Sequence, residues 1–379
     1  MRTAFLLRLY ALATLSSLDA LDATAAEPTS PLVASARLVG ELFHDNQFHI
    51  TGQDAATSLT LPGGEALWVF GDTIEGPFQS IREVDLKDKL SNTACLVPQQ
   101  DAAQGLPKFR FLATPDGQRP RQIVPFRADE EPEQHRVWPM HGLCVGKKAY
   151  LFYHRISLKP GVDVFEDFTL DGMGLARAEL GDAPHDDGWQ FERLAAPDGS
   201  QEFWKGDQPG FGVFVVERDG YVYLWGSQMT GMFLARTRSD AVERLDRYEY
   251  LAAAPTLAHP DVAPRWSSTF APTAPLFDGV PNEMSASFNE HLGCFIAVHC
   301  RLRDNQIVMR TAPHITGPWS VGEVIFEPSR NSDKDLFYAA KEHPELARDG
   351  GKTIYLSFVN SATYVPQLVE VRFVDDPKP

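Results

Sequence analysis

Five short apolar-aromatic runs recur along the chain: Leu67-Trp-Val-Phe-Gly71, Tyr150-Leu-Phe-Tyr-His154, Tyr223-Leu-Trp-Gly-Ser227, Phe295-Ile-Ala-Val-His299 and Ile354-Tyr-Leu-Ser-Phe358. Four of them follow a turn signal, namely Pro62-Gly63-Gly64, Gly146-Lys147-Lys148, Asp219-Gly220 and Asp349-Gly350-Gly351. The fourth run follows Asn289-Glu290-His291-Leu292-Gly293 instead. Each unit therefore reads as strand, tight turn, aromatic-rich strand. Behind four of the runs comes a further strand ending in Arg: Leu175-Ala-Arg177, Leu234-Ala-Arg236, Val308-Met-Arg310 and Glu370-Val-Arg372. In the first unit the matching place is Ser91 to Val97, without the Arg. Trp189, Trp319 and Phe326 fall where outer strands would close the units, and Ser35 to Leu42 is placed to add an outer strand to the last one. The only helical periodicity is a short stretch from Asp240 to Tyr248.

Repeated antiparallel units too small to bury their own faces pack radially. The expected fold is all-β, a single five-bladed β-propeller, and a β-sandwich with long loops fits the spacing less well. The expected organisation is a signal peptide over 1–26 and the propeller over 27–379. Arg2 and Arg8 give the leader a basic start, Phe5 to Leu18 is mostly apolar, and Ala23-Thr24-Ala25 offers a small-residue cleavage site. That apolar stretch is too short to span a bilayer as a helix. An exported protein, periplasmic or extracellular, is the expectation, without a membrane span and as a monomer.

The chain has 379 residues and a formal charge of −16, which argues against a nucleic-acid partner, since phosphate backbones recruit Lys and Arg. Cys294 and Cys300 sit six positions apart in one predicted strand, roughly 20 Å at ~3.3 Å per residue, too far to bond each other. Any disulfide would have to cross between strands, with Cys95 and Cys144 as the other candidates, and free thiols are equally compatible. No Cys/His spacing suggests zinc, no Gly-rich loop suggests a nucleotide, and no cofactor or metal is expected. No Gly-x-Ser-x-Gly elbow is present either.

In a propeller the starts of the innermost strands converge on one face. The segments leading there are Gly52 to Ser58, Trp138 to Gly142, Trp204 to Gly210, Asn282 to Ser287 and Tyr338 to His343. Four of the five carry an acidic side chain and the second carries His141. Carboxylates beside flat rings suit sugar cleavage: one acid protonates the leaving oxygen, a second carboxylate attacks or activates water, and rings pack on sugar faces. Asp54 is the candidate base or nucleophile, and Glu283 the candidate proton donor if burial raises its affinity for a proton. Asp72 is a third candidate, with capping of its own turn as the structural alternative.

Asp207 could orient substrate or simply shape its turn. His141 and His343 are candidate donors to sugar hydroxyls, or else structural residues. Arg155 could pair with an axial carboxylate or with the next blade. Trp138 and Trp204 are candidate platforms, against the common role of wedging between blades. Trp68 and Trp225 read as packing. Asp129-Glu130-Glu131 with Glu133 reads as a solvated acidic loop, which could also hold calcium but lacks EF-hand spacing.

Four words in order carry a family resemblance: Leu67-Trp-Val-Phe-Gly-Asp-Thr73 with Asp54 and Ser58 upstream, Glu283-Met-Ser-Ala-Ser-Phe-Asn289, Thr316-Gly-Pro-Trp-Ser320, and His343-Pro-Glu345 followed by Tyr355-Leu-Ser-Phe358. Over roughly Val39 to Phe373 the chain resembles a group of secreted five-bladed propellers catalogued as a domain of unknown function. The resemblance implies kinship with endo-acting D-arabinanases and with the wider five-bladed clan of arabinanases, xylosidases and fructosidases. The expected function is hydrolysis of a furanose-containing polysaccharide. The alternatives are a non-catalytic carbohydrate-binding or scaffold propeller and an inverting phosphorylase, which would need a cationic pocket from residues such as Arg155 and Lys341.

Overall fold

The computed structural model describes residues 30–77, 89–159, 168–181, 190–271, 273–280, 283–301, 304, 306–330 and 335–377. The expected leader, Trp189 and Asn282 lie outside the described residues. Among those described, the regular structure is all β, interrupted by short 3-10 turns. Two of these turns, at Ser239–Ala241 and Leu245–Arg247, occupy the stretch expected to be helical.

Among the described residues, five antiparallel sheets follow one another along the chain. The first contains β3 (Thr57–Thr60), β4 (Ala66–Phe70), β7 (Thr93–Val97) and β8 (Arg110–Phe111). The second runs β9 (His135–Val145), β10 (Lys148–Leu158), β11 (Phe168–Glu179) and β12 (Glu192–Arg193), with β13 (Trp204–Lys205) also on β11. The third is β14 (Gly210–Arg218), β15 (Tyr221–Gln228), β16 (Gly231–Arg238), β17 (Glu249–Ala253) and β18 (Arg265–Ser267). The fourth is β19 (Ser285–Asn289), β20 (Cys294–Cys300), β21 (Ile307–Ala312) and β22 (Glu323–Phe326). The fifth is β23 (Phe337–Glu342), β24 (Thr353–Asn360) and β25 (Pro366–Phe373), closed by the N-terminal β1 (Val33–Glu41) on β25. A small sixth sheet, β2 (Ile50–Gln53), β5 (Thr73–Glu75) and β6 (Lys89–Leu90), sits at one end of the first.

The five aromatic runs all fall on second strands and the four Arg-ending words on third strands, as their spacing predicts. Turn chemistry sets these hairpins. At Asp219-Gly220 both residues are left-handed (φ 52° and 75°), which a two-residue hairpin with the right twist requires. Trp319 instead lies in the loop before β22, where its ring meets Trp225 and Phe277.

Apolar cores fill the spaces between successive sheets, including the last and the first. Leu59, Leu67 and Val69 pack with Leu151 and Ala176 between sheets one and two. Phe152, Phe214, Trp225 and Phe295 link sheets two, three and four. Ile296 and Val298 pack with Phe337 and Phe358 between sheets four and five. Trp68 and Phe70 pack with Tyr355 and Leu368, which brings the fifth sheet back onto the first. The four cysteines are free thiols in this framework.

First strands face one another at the centre, where polar side chains replace apolar ones. The Val215 amide donates to His141 Nδ1 (3.3 Å), and His141 also hydrogen-bonds the Ser58 backbone, joining sheets one, two and three. His343 lies between Ser58 Oγ and Ser357 Oγ (2.7 Å each) and stacks on Trp68. Ser285 and Ser287 bond the Glu342 amide and carboxyl across sheets four and five.

Candidate active site

The small sheet explains why Asp54 and Asp72 meet. β2 pairs with β5 while β3 pairs with β4, so the chain crosses twice between the same two sheets. Asp54 lies in the first crossing, between Gln53 and Thr57, and Asp72 in the second, between Phe70 and Thr73. Register places the crossings side by side: Gln53 opposes Thr73 and Thr57 opposes Val69. The Gly71 amide donates to the Asp54 carbonyl (3.2 Å). A side chain on Gly71 would run into the Asp54 carboxyl, whose Oδ1 lies 2.3 Å from where a Cβ would stand. Glycine is needed there for space rather than for backbone freedom.

Asp54 is followed by two left-handed non-glycine residues, Ala55 (φ 64°) and Ala56 (φ 53°). Such conformations cost about 1–3 kcal/mol each and persist where surrounding contacts enforce them. Here the Ala56 amide donates to the Asp54 carbonyl (2.8 Å), and Lys341 Nζ donates to the Ala55 carbonyl (2.5 Å). The turn aims Asp54 at the centre.

Burial pushes the Asp54 carboxyl up to about 7, and the negative charges of Asp72 and Glu283 push the same way. Hydrogen bonds from Tyr364 and Tyr338 oppose that rise without cancelling it; the Tyr338 hydroxyl donates to Oδ2 at 3.1 Å. Three carboxyls from distant parts of the chain thus share one site. The other two are buried with cationic partners. Asp72 Oδ1 meets Arg136 Nε (3.2 Å) and accepts from Trp138 Nε1 (3.1 Å). Glu283 is ion-paired with Lys341. Trp138 is half-buried, set edge-on to Phe168. It is the one predicted platform that borders the cluster.

The remaining predicted residues lie elsewhere or are engaged. Trp204 is fully buried, donates to Tyr250 (2.9 Å) and packs on Phe211 and Tyr248; it pairs along β11 and does not reach the centre. Asp207 is exposed in the β13–β14 turn, where its carbonyl accepts from Gln228 (2.8 Å). His141 ties β9 to β3 and β14, His343 joins β3 to β24, and burial drives both toward the neutral form, His141 to about 3. They build the hub rather than offering donors to a ligand. Arg155 bonds Glu130 (3.0 Å), Glu202 (2.8 Å) and Asp171 (3.3 Å), not an axial carboxylate.

Glu130 corrects the expectation of a wholly solvated acidic loop. Asp129, Glu131 and Glu133 are exposed, but the Glu130 carboxylate turns inward. It is held by both terminal nitrogens of Arg193 (2.5 and 2.9 Å), by Arg155 and by the Arg127 amide.

Tyr338, Tyr364 and Arg136 complete the site and were not among the sequence candidates, while Lys341, considered from sequence only as a phosphate-binding cation, is paired there with Glu283. Arg136 had a usable signal: it lies two positions before Trp138 on β9, and side chains two apart share a strand face. Among the described residues no group of three or more His, Cys, Asp or Glu is arranged to hold a metal. No described helix is long and apolar enough to cross a membrane.

Fold and site together define an all-β protein whose sheets close around a polar centre carrying buried carboxyls. The chain belongs to the DUF4185 family, a domain of unknown function, whose profile matches residues 41–370. Its fold is similar to the crystal structure of a putative hydrolase from Bacteroides ovatus (16% identity, 88% of this chain and 87% of that one covered, TM-score 0.63). It is also similar to a family 117 glycoside hydrolase produced by the marine bacterium Zobellia galactanivorans (12% identity, 92% and 93% covered, TM-score 0.52). No curated protein sequence matches it.

Proposed function

We propose that this protein is an exported, single five-bladed β-propeller glycoside hydrolase acting on a furanose-containing polysaccharide, arabinan foremost. The observation that carries the reading is a carboxyl poised near neutrality, Asp54, beside a second carboxyl, Asp72, that is paired with Arg136. Two carboxyl groups in unlike surroundings are the requirement for cleaving a glycosidic bond. The hydrolase class of the two similar structures supports the reaction type, and the family words support the furanose.

The surroundings reverse the roles expected from sequence. Asp54 retains a proton at mildly acidic pH and is the donor to the glycosidic oxygen. Asp72, fixed through one oxygen by Arg136 and Trp138, faces the anomeric carbon and meets the positive charge that develops as the bond breaks. Water supplies the hydroxyl that completes hydrolysis, and its proton returns to the carboxyl pair. Glu283 is ion-paired with Lys341, and its charge tunes Asp54 rather than serving as the donor. The Trp138 ring offers a sugar a flat edge of the site. The two cations considered for a phosphate pocket, Arg155 and Lys341, are each committed to carboxylates.

Incubation with arabinan, xylan and fructan should release reducing ends from at least one of them. Release should fall about tenfold per pH unit above pH 7 as the donor ionises. Binding without release on every polymer would favour the scaffold alternative.

A further inference from the structure

β23 sends two side chains into the site from positions three apart. In a regular strand residues i and i+3 point to opposite faces. Here Tyr338 opposes Val359 while Lys341 opposes Ser357, so β23 spends three steps where β24 spends two. That extra residue is a bulge, and Ala339 within it is left-handed (φ 58°). Phe337 and Ala340 consequently face the core shared with the fourth sheet, and Tyr338 and Lys341 both face the centre. Tyr338 holds the Asp54 carboxyl. Lys341 reaches the next residue of the same turn, the Ala55 carbonyl, and pairs with Glu283 on the other side. Lys341 and Glu283 are 2% and 6% exposed, so neither charge has water as a substitute partner.

We propose that Lys341 is a positioning residue for the carboxyl cluster: its ammonium partly offsets the charge of Glu283 and clamps the Ala55–Ala56 turn that presents Asp54. Its meaning for catalysis rests on the hydrolase reading above, but its effect on Asp54 does not. The groups facing Asp54 are Asp72 from the β4–β5 crossing, Glu283 ahead of β19, Tyr338 and Lys341 from β23, and Tyr364 from the β24–β25 turn. Arg136 from β9 acts on it through Asp72. Among the described residues Lys341 is the cation paired with Glu283. Taking it away leaves a bare like charge beside Asp54, and like charge disfavours a second ionised carboxyl.

The test follows the carboxyl carbon of Asp54 by NMR across pH in the substrate-free full chain, assigned by its loss in Asp54→Asn. The wild-type midpoint should fall at about 7. Lys341→Met should move it upward by about one pH unit. Lys341→Gln, which keeps a donor for the Ala55 carbonyl without the charge, should move it in the same direction. Lys341→Arg should leave it in place. An unmoved midpoint in a folded Met or Gln variant, or an Arg variant displaced as far as Met, overturns the proposal. On a cleaved polymer the descending limb of kcat should shift with the midpoint while KM stays constant, because Lys341 acts through its neighbours. A polymer panel that yields no product would sink the hydrolase reading and leave the titration result standing.

Discussion

Asp54→Asn is expected to cut polysaccharide turnover about 100- to 10,000-fold, the usual worth of a positioned general acid. The same substitution should make the folded protein more stable at pH 8. The sign follows from linkage. Burial holds the Asp54 carboxyl at about 7 in the folded protein, against about 4 for an ordinary Asp in an unfolded chain, so the native state binds its proton more tightly. The stability this contributes is complete below about pH 4 and is lost as pH rises through 7. Above 7 the wild type holds a buried carboxylate that Asn does not have. Chemical denaturation at pH 4 and pH 8 should show the stability difference between variant and wild type changing by on the order of 3–4 kcal/mol in favour of Asn. A variant that loses activity with no such pH-dependent gain would mean that Asp54 is an ordinary exposed acid.

Glu130→Ala should have the largest effect on stability, although Glu130 takes no part in the proposed chemistry. Its carboxylate, the Arg193 guanidinium and the Tyr153 ring below it form one buried unit. Removing one member of a buried pair leaves an uncompensated charge and costs about 3–5 kcal/mol. Burial alone would raise the Glu130 carboxyl, but Arg193, the Arg127 amide and Arg155 hold it down at about 2. Its contribution is therefore present above the unfolded carboxyl's value and is lost only as pH falls through 2. Urea denaturation at pH 7 should show the loss in full, and a variant within about 0.5 kcal/mol of wild type would reduce this network to a surface contact.

The strand pattern was largely legible because hairpins are local. Tight turns and aromatic runs fix second strands by themselves, and Arg at the end of third strands repeats often enough to be counted. Asp54 and Glu283 open first strands, so their convergence was expected from strand order, whereas Asp72 follows β4 and its place beside Asp54 comes from the small β2–β5–β6 sheet, which the repeat pattern did not reveal. The roles of the three were not legible. Whether a carboxyl keeps its proton depends on which cation lies beside it, and those partners come from other sheets: Arg136 from β9, Lys341 from β23. Lys341 was hidden further by the bulge, which breaks the two-residue alternation that would have assigned its face. His141 and His343 misled for a related reason. Equivalent positions at the hub need polar groups to join first strands, so a matching pair of histidines there reflects hub construction. Trp204 was assigned to the third unit by order along the chain, yet it pairs with β11 of the second and is buried in that core.

A crystal structure of Asp54→Asn with a bound arabino-oligosaccharide is the most direct trial of the shared acid site. The sugar should lie across the hub against Trp138, its glycosidic oxygen within hydrogen-bond reach of residue 54 and its anomeric carbon turned toward Asp72. An oligosaccharide seated away from both aspartates, or side chains of residues 54 and 72 more than about 10 Å apart, would contradict it.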